Sequence, residues 1–479
     1  MSSKEFCRLG WRRAQRHGVR MLLALFVVCG STRAGEDPVA IPYDPAQTII
    51  DAALGDTYAY DRLGELCDQI GPRLAGTERM RAAIAWAVQT LQQAGFDSVW
   101  TEPVRLPLWE RGEEWARVTS PEPFDLTLLG LGNSVGTPPG GIEAALLVVE
   151  SFEELESRAA EAAGRIVLFN PTWRGYGETV RYRGGGASAA ARHGAVACLV
   201  RSVTDASLAT PHTGMMTYAD SLPKIPTAAI TVEDAGRLQR LARRGAQPRV
   251  RLSMGARTLP EVESFNVVAE IRGREKPEDI VLAAGHLDSW DTGTGAHDDG
   301  AGCLITMGAA RLLLQMGLRP RRTLRIVWYE AEEFGGIGGR AYFQAHRDEL
   351  DRYVAALESD SGAFPPRGFS VQADSTIVQR LQTMARPLAN LEAAEVQPGW
   401  SGVDIRPLVQ AGVPGIGHRT RADDYFHYHH SPADTFDKID PEALARNVAA
   451  VATLLYAIAE ADAPLRPIGS ATAAPGSHE

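Results

Sequence analysis

The stretch from Gly285 to Gly302, GHLDSWDTGTGAHDDGAG, constrains this chain more than any other. Ahead of it, Val281 to Ala284 are small or apolar, which predicts a buried strand. Behind it, LITMGAARLLLQM has the spacing of a helix. Strand, polar loop and helix in that order form the unit of an α/β sheet, and such sheets place ligands at the carboxyl ends of their strands. His286, Asp288, Asp298 and Asp299 all fall at that end. A glycine-rich polar loop with no ligand would look the same in isolation, so the rest of the chain has to decide.

The same punctuation recurs. RTLRIVWY runs into Glu330, Glu332 and Glu333; YVAAL runs into Glu358 and Asp360; and the segment His427 to Ser431 (HYHHS), ahead of Asp434, follows VPGIGH. Apolar strands alternating with helices argue for a sheet covered on both faces. The fold class expected is therefore α/β, a mostly parallel mixed sheet flanked by helices. Near the start, Ala46 to Ile70 has helical spacing, and a second long helix closes at Gly95. The turns at Gly71–Arg73 and Ala75–Thr77 either lie near the ligand site or merely punctuate helices.

Between residues 104 and 261 the texture changes. Short runs (AALLVVE, GRIVLFN, VACLVRS, PTAAITV) alternate with Gly- and Pro-rich loops, with GASAAARHGA the single helix-like stretch. This predicts a β-rich insertion. His193 and His212 fall in it and are expected to be satisfied or exposed. The domain built on the strand-and-helix pattern would then be discontinuous, 35–103 and 262–462, with 463–479 a disordered tail.

A chain of 479 residues suggests two or three domains. Residues 1–34 look like a secretory leader, with a basic start, the apolar run MLLALFVVC and small residues before a cut after Ala34. The true start is Met1 or Met21. The whole chain has 49 Lys/Arg against 59 Asp/Glu, and the leader holds seven of the former and one of the latter, leaving 42 against 58. That acidity argues against nucleic acid as a partner. No later run reaches about 18 apolar residues, so no stable membrane insertion is expected. Cys67, Cys198 and Cys303 have no metal-ligand spacing and are expected to be buried thiols.

Adjacent glutamates after a buried strand are costly unless a cation compensates them. Three acidic clusters and histidines on one sheet edge would repel without metal. Zinc accepts both imidazole and carboxylate, and two histidines with three carboxylates suffice for two ions if one aspartate bridges.

In its order of His-x-Asp, Asp-Asp-Gly, Glu-Glu, Asp and His, the chain resembles the co-catalytic di-zinc aminopeptidase and carboxypeptidase family. The insertion is similar to the protease-associated domain found in several zinc exopeptidases. The resemblance implies two zinc ions per chain, with His286 and Asp360 on one, Glu333 and His430 on the other, and Asp298 between them. It further implies that Asp288 orients His286, that Glu332 is the general base, and that the Asp298–Asp299 peptide is cis. His429 competes with His430; the family places its ligand directly before the Ser of the S-x-x-D-T turn. Asp404, Tyr425 and Tyr428 are candidate substrate contacts, and Trp400 is either pocket or core. His297 is a departure from the pattern, either a surface residue or one that tunes Asp298.

The function expected is a secreted or periplasmic exopeptidase, a homodimer acting on dipeptides or short peptides with free termini. An aminopeptidase on longer peptides shares the same motifs. A glutaminyl cyclase-like enzyme would need only one zinc, and a receptor-like module without catalysis would have lost ligands.

Overall fold

The computed structural model describes residues 44–466, so the leader expected at 1–34 lies outside the described residues. Its first sheet has eight strands: β1 (Ser98–Glu110), β2 (Arg257–Ile271), β3 (Lys276–His286), β4 (Arg322–Tyr329), β5 (Tyr353–Ser359), β6 (Pro366–Gln372), β7 (Glu395–Pro398) and β8 (Gly415–Thr420). Their spatial order is β1-β2-β4-β3-β5-β8-β6-β7. The middle four, β4-β3-β5-β8, are mutually parallel, and antiparallel pairings flank them.

The central strands are apolar over most of their length because both faces are covered. Every residue of β4 and β5 is buried. Side chains alternate between two cores, as a pleat requires. Val281, Ala283, Ile326 and Trp328 enter one; Leu282, Ala284, Val327 and Tyr329 enter the other. The first core is filled by α1 (Glu78–Gln93), α2 (Ala301–Gln315) and α4 (Pro441–Glu460), and the second by α3 (Ile337–His346). Thr77 caps α1 through its side-chain oxygen, and Asp440 caps α4 ahead of Pro441. By length and composition α4 is apolar enough to cross a bilayer, although Glu442, Arg446 and Asn447 interrupt its apolar run; here most of it is buried in the first core. At the opposite end of the sheet, the buried pair Arg322–Asp279, 2.9 Å apart, joins β4 to β3, and Arg322 also donates to Ala459 O of α4.

The chain leaves this sheet along β1 and returns along β2, its antiparallel neighbour. The expected boundaries fall inside that pair, where Val104 faces Ser264 and Pro107 faces Glu261. Between Glu114 and Met254 lies a second eight-stranded sheet whose central strands, 142–149, 166–169, 197–201 and 227–230, are parallel. It is not only β-rich. Helices Phe152–Ser157, Tyr176–Arg192 and Val232–Arg243 cover it, two of them begun by the side chains of Ser151 and Thr231. A small core of Leu106, Trp109, Ala256, Trp290 and Phe334 fills the junction of the two sheets.

Of the tail expected at 463–479, residues 463–466 are packed onto the fold: Leu465 and Arg466 are buried, and Arg466 donates to Leu350 O. Residues 467–479 lie outside the described part. Cys67, Cys198 and Cys303, the cysteines among the described residues, are buried and free.

Candidate active site

Because β4, β3, β5 and β8 run in parallel, their carboxyl ends share one edge. His286 closes β3, Glu330–Glu333 follow β4, Asp360 follows β5, and the His427–His430 segment comes soon after β8. Asp298 reaches the same edge from the loop between β3 and α2.

Two clusters form there and share Asp298. His286 Nε2 lies 3.2 Å from Asp298 Oδ1 and 3.7 Å from Asp360 Oδ1. His430 Nε2 lies 3.2 Å from Asp298 Oδ2 and 2.9 Å from Glu333 Oε2. His429 Nε2 is 3.6 Å from Asp298 Oδ2, with its ring stacked 3.5 Å from that of His430. Asp298, His429 and His430 therefore also form a compact donor group. Only the His430 nitrogen stands beside both Asp298 and Glu333.

Further side chains hold these groups and the backbone around them in place. Arg73, fully buried, donates to Thr294 O at 2.6 Å and Gly295 O at 2.9 Å, fastening the loop that leads into Asp298. Asp434 accepts from His297 N and Asp298 N. Trp290 donates its indole N–H to Glu333 Oε2 at 2.6 Å. The Asp298–Asp299 peptide is cis, and Asp299 accepts from the backbone of His286 and Gly302.

Asp288 faces His286 through two of its oxygens. The atom nearest His286 Nδ1 is its backbone carbonyl, at 3.0 Å, with its carboxylate at 3.5 Å. That carboxylate also accepts from Glu332 N at 3.0 Å and Glu333 N at 3.3 Å, fixing both glutamates.

A family model described as Peptidase family M28 matches residues 266–455. Carboxypeptidase Q of Mus musculus is 45% identical over 430 residues, covering 89% of this chain and 92% of that protein. The chain belongs to peptidase family M28. The crystal structure of a peptidase M28 precursor from Shewanella amazonensis SB2B matches this M28 chain with a TM-score of 0.86 and 38% identity, over 88% of this chain and 98% of that one. The zinc aminopeptidase of Bacillus subtilis shares the fold, with a TM-score of 0.65 at 21% identity over 86% and 97% of the two chains.

The M28 centre is dense in buried carboxylates. Burial pushes Glu332 well above the ordinary range; Asp360, Glu333 and Asp404 add to this against the attraction of His286. Burial likewise raises Asp404, and raises Glu358 to about 7. For His286, burial disfavours the imidazolium, but Asp288, Asp298 and Asp360 outweigh it and raise its pKa. Such a site can hold cations. His286 Nε2, Asp298 Oδ2 and Glu333 Oε1 are buried and have no hydrogen-bond partner, which is the state of atoms that await a Lewis acid. Two imidazoles and three carboxylates suit zinc in type and number.

The candidate substrate residues are mixed. Asp404 is buried, with Oδ1 accepting from Gly339 N and Oδ2 unpartnered. Tyr425 is buried, and Tyr428 is half-buried and stacked parallel to His297 at 5.9 Å. Trp400 is 54% exposed, so the core alternative falls. His297 is not on the surface: it is buried, and its ring stacks on Phe364 at 4.3 Å. His193 pairs with Glu156, and His212 is buried and satisfied.

Proposed function

We propose that this M28 chain is a di-zinc exopeptidase for dipeptides or short peptides with free termini, exported to the periplasm or outside the cell and working as a homodimer. One observation supports the metal reading: two imidazole–carboxylate clusters share Asp298, and three of their buried atoms, His286 Nε2, Asp298 Oδ2 and Glu333 Oε1, have no hydrogen-bond partner. His286 and Asp360 would hold one zinc, Glu333 and His430 the other, with Asp298 common to both. When bound, zinc supplies Lewis-acid polarisation and lowers the pKa of water.

The other steps belong to the chain. Glu332 is a carboxylate outside both sets, adjacent to Glu333, and its backbone is fixed by Asp288. It takes the proton of the attacking water and returns it to the leaving amine. Tyr425 or Tyr428 donates to the oxyanion as it develops. Asp404, with one oxygen unpartnered, receives the substrate ammonium. The inserted sheet, residues 104–261, is protease-associated-like and closes one side of the site. Its resemblance to that domain rests on the run order GGIEAALLVV, GRIVLF and GAVACLV.

The test is a panel of free dipeptides, N-acetylated dipeptides, C-amidated dipeptides and pentapeptides, each with and without chelator. Free dipeptides should be cleaved best and chelator should abolish the activity. Loss only with the blocked amine, together with good cleavage of pentapeptides, would make the enzyme an aminopeptidase.

A further inference from the structure

The inserted segment grips the centre on the His430 side. Thr213 N–H donates to His430 O at 2.9 Å, and Thr213 O faces His430 Nδ1 at 3.3 Å. Arg183 Nη1 donates to the same Thr213 O at 3.2 Å and stands 3.2 Å from His430 Nδ1; its Nη2 is held by the Tyr176 hydroxyl at 2.9 Å. His212 donates from Nδ1 to His429 O at 2.7 Å. At Gly132 an added Cβ would lie 2.0 Å from Trp290, the residue that donates to Glu333. The His286 side is built from the peptidase sheet: His286 Nδ1 meets Asp288 O of its own loop, and Asp360 follows β5.

The chemistry makes this asymmetry consequential. An imidazole that binds metal through Nε2 carries its proton on Nδ1 and needs an acceptor there. A guanidinium has no acceptor atom. Of the two groups facing His430 Nδ1, only Thr213 O can take that proton's hydrogen bond, and Arg183 fixes the position of that oxygen. His430 also has φ of +60°, a conformation uncommon for a residue with a side chain, and Thr213 N–H holds its carbonyl there.

We propose that Arg183 and Thr213, with Gly132 behind Trp290, are positioning elements for His430 and Glu333. The inserted segment thereby secures one of the two ion sites and leaves the other to the peptidase sheet. This rests on the two-zinc reading above.

The test uses the full chain, stripped and titrated with zinc against a chromophoric chelator so that both dissociation constants are read, with the unfolding midpoint measured in parallel. Arg183→Gln should weaken one site by about 10- to 100-fold, the scale for partners that orient a ligand, and leave the other unchanged. Gly132→Ala should select the same site through Trp290. Arg183→Lys, which keeps a donor for Thr213 O, should recover part of the loss. Tyr176→Phe keeps the ring and frees Arg183, giving a smaller loss at the same site; it serves if the glutamine variant does not fold. A parent that binds two ions, with Arg183→Gln leaving both constants unchanged or weakening both equally, overturns the proposal. A parent that binds a single ion overturns the two-zinc reading and this proposal with it.

Discussion

The Asp434 carboxylate accepts the backbone N–H of Asp298 at 3.1 Å and that of His297 at 2.8 Å. The loop carrying His430 therefore grips the main chain of the one carboxylate common to both clusters. Asp434→Asn offers one acceptor oxygen where two N–H groups need it. Zinc should bind about 10- to 100-fold more weakly at both sites, as read by chelator competition. Unchanged affinity would make Asp434 a bystander.

Asp298→Ala removes the shared group itself. Elemental analysis should find about two zinc ions per chain in the parent and neither in the variant, since each set then keeps only two protein ligands. Retention of one ion would show that Asp298 serves a single site.

Glu332→Gln and Glu333→Gln separate base from ligand. The first keeps shape and hydrogen bonding but cannot take a proton, so turnover should fall at least about 10²-fold with zinc retained. The second should lose zinc as well. Near-parental turnover in Glu332→Gln would refute its role as base.

Asp404→Asn addresses the substrate ammonium. A buried charge partner discriminates strongly against an analogue that lacks the charge. Acetylating the substrate amine should cost at least about 10²-fold in kcat/KM in the parent and markedly less in the variant, at unchanged zinc content. An equal penalty in both would remove Asp404 from recognition.

Asp279→Ala tests stability far from the centre. It leaves Arg322, which is fully buried, without its carboxylate. Breaking a buried pair from one side costs about 3–5 kcal/mol. The midpoint of urea unfolding should fall accordingly, with zinc content in the folded protein unchanged.

What the sequence discloses is what lies in uninterrupted runs. β3, β4 and β5 each contain an apolar stretch that faces both ways, so their carboxyl ends, with His286, Glu332, Glu333 and Asp360 at or just beyond them, can be located without coordinates. Two helices of the insertion escape the same reading. Phe152–Ser157 (FEELES) is too short to show a period, and Val232–Arg243 spreads its apolar residues thinly among charges. Arg73 and Trp290 are harder still. Arg73 acts on backbone carbonyls 221 and 222 residues away, and local pattern carries nothing of that separation. His297 misleads for a different reason: its polar neighbours suggest a surface loop, while the partner that buries it, Phe364, comes from beyond β5.

The four strand ends that meet at this edge belong to segments dispersed along the chain, and the last imidazole, His430, comes after β8 with only α4 among the long helices still to follow. Synthesis proceeds from the other end. The protein thus has nearly its entire first sheet made before the final donor exists, and the pair of clusters that share Asp298 cannot close until then.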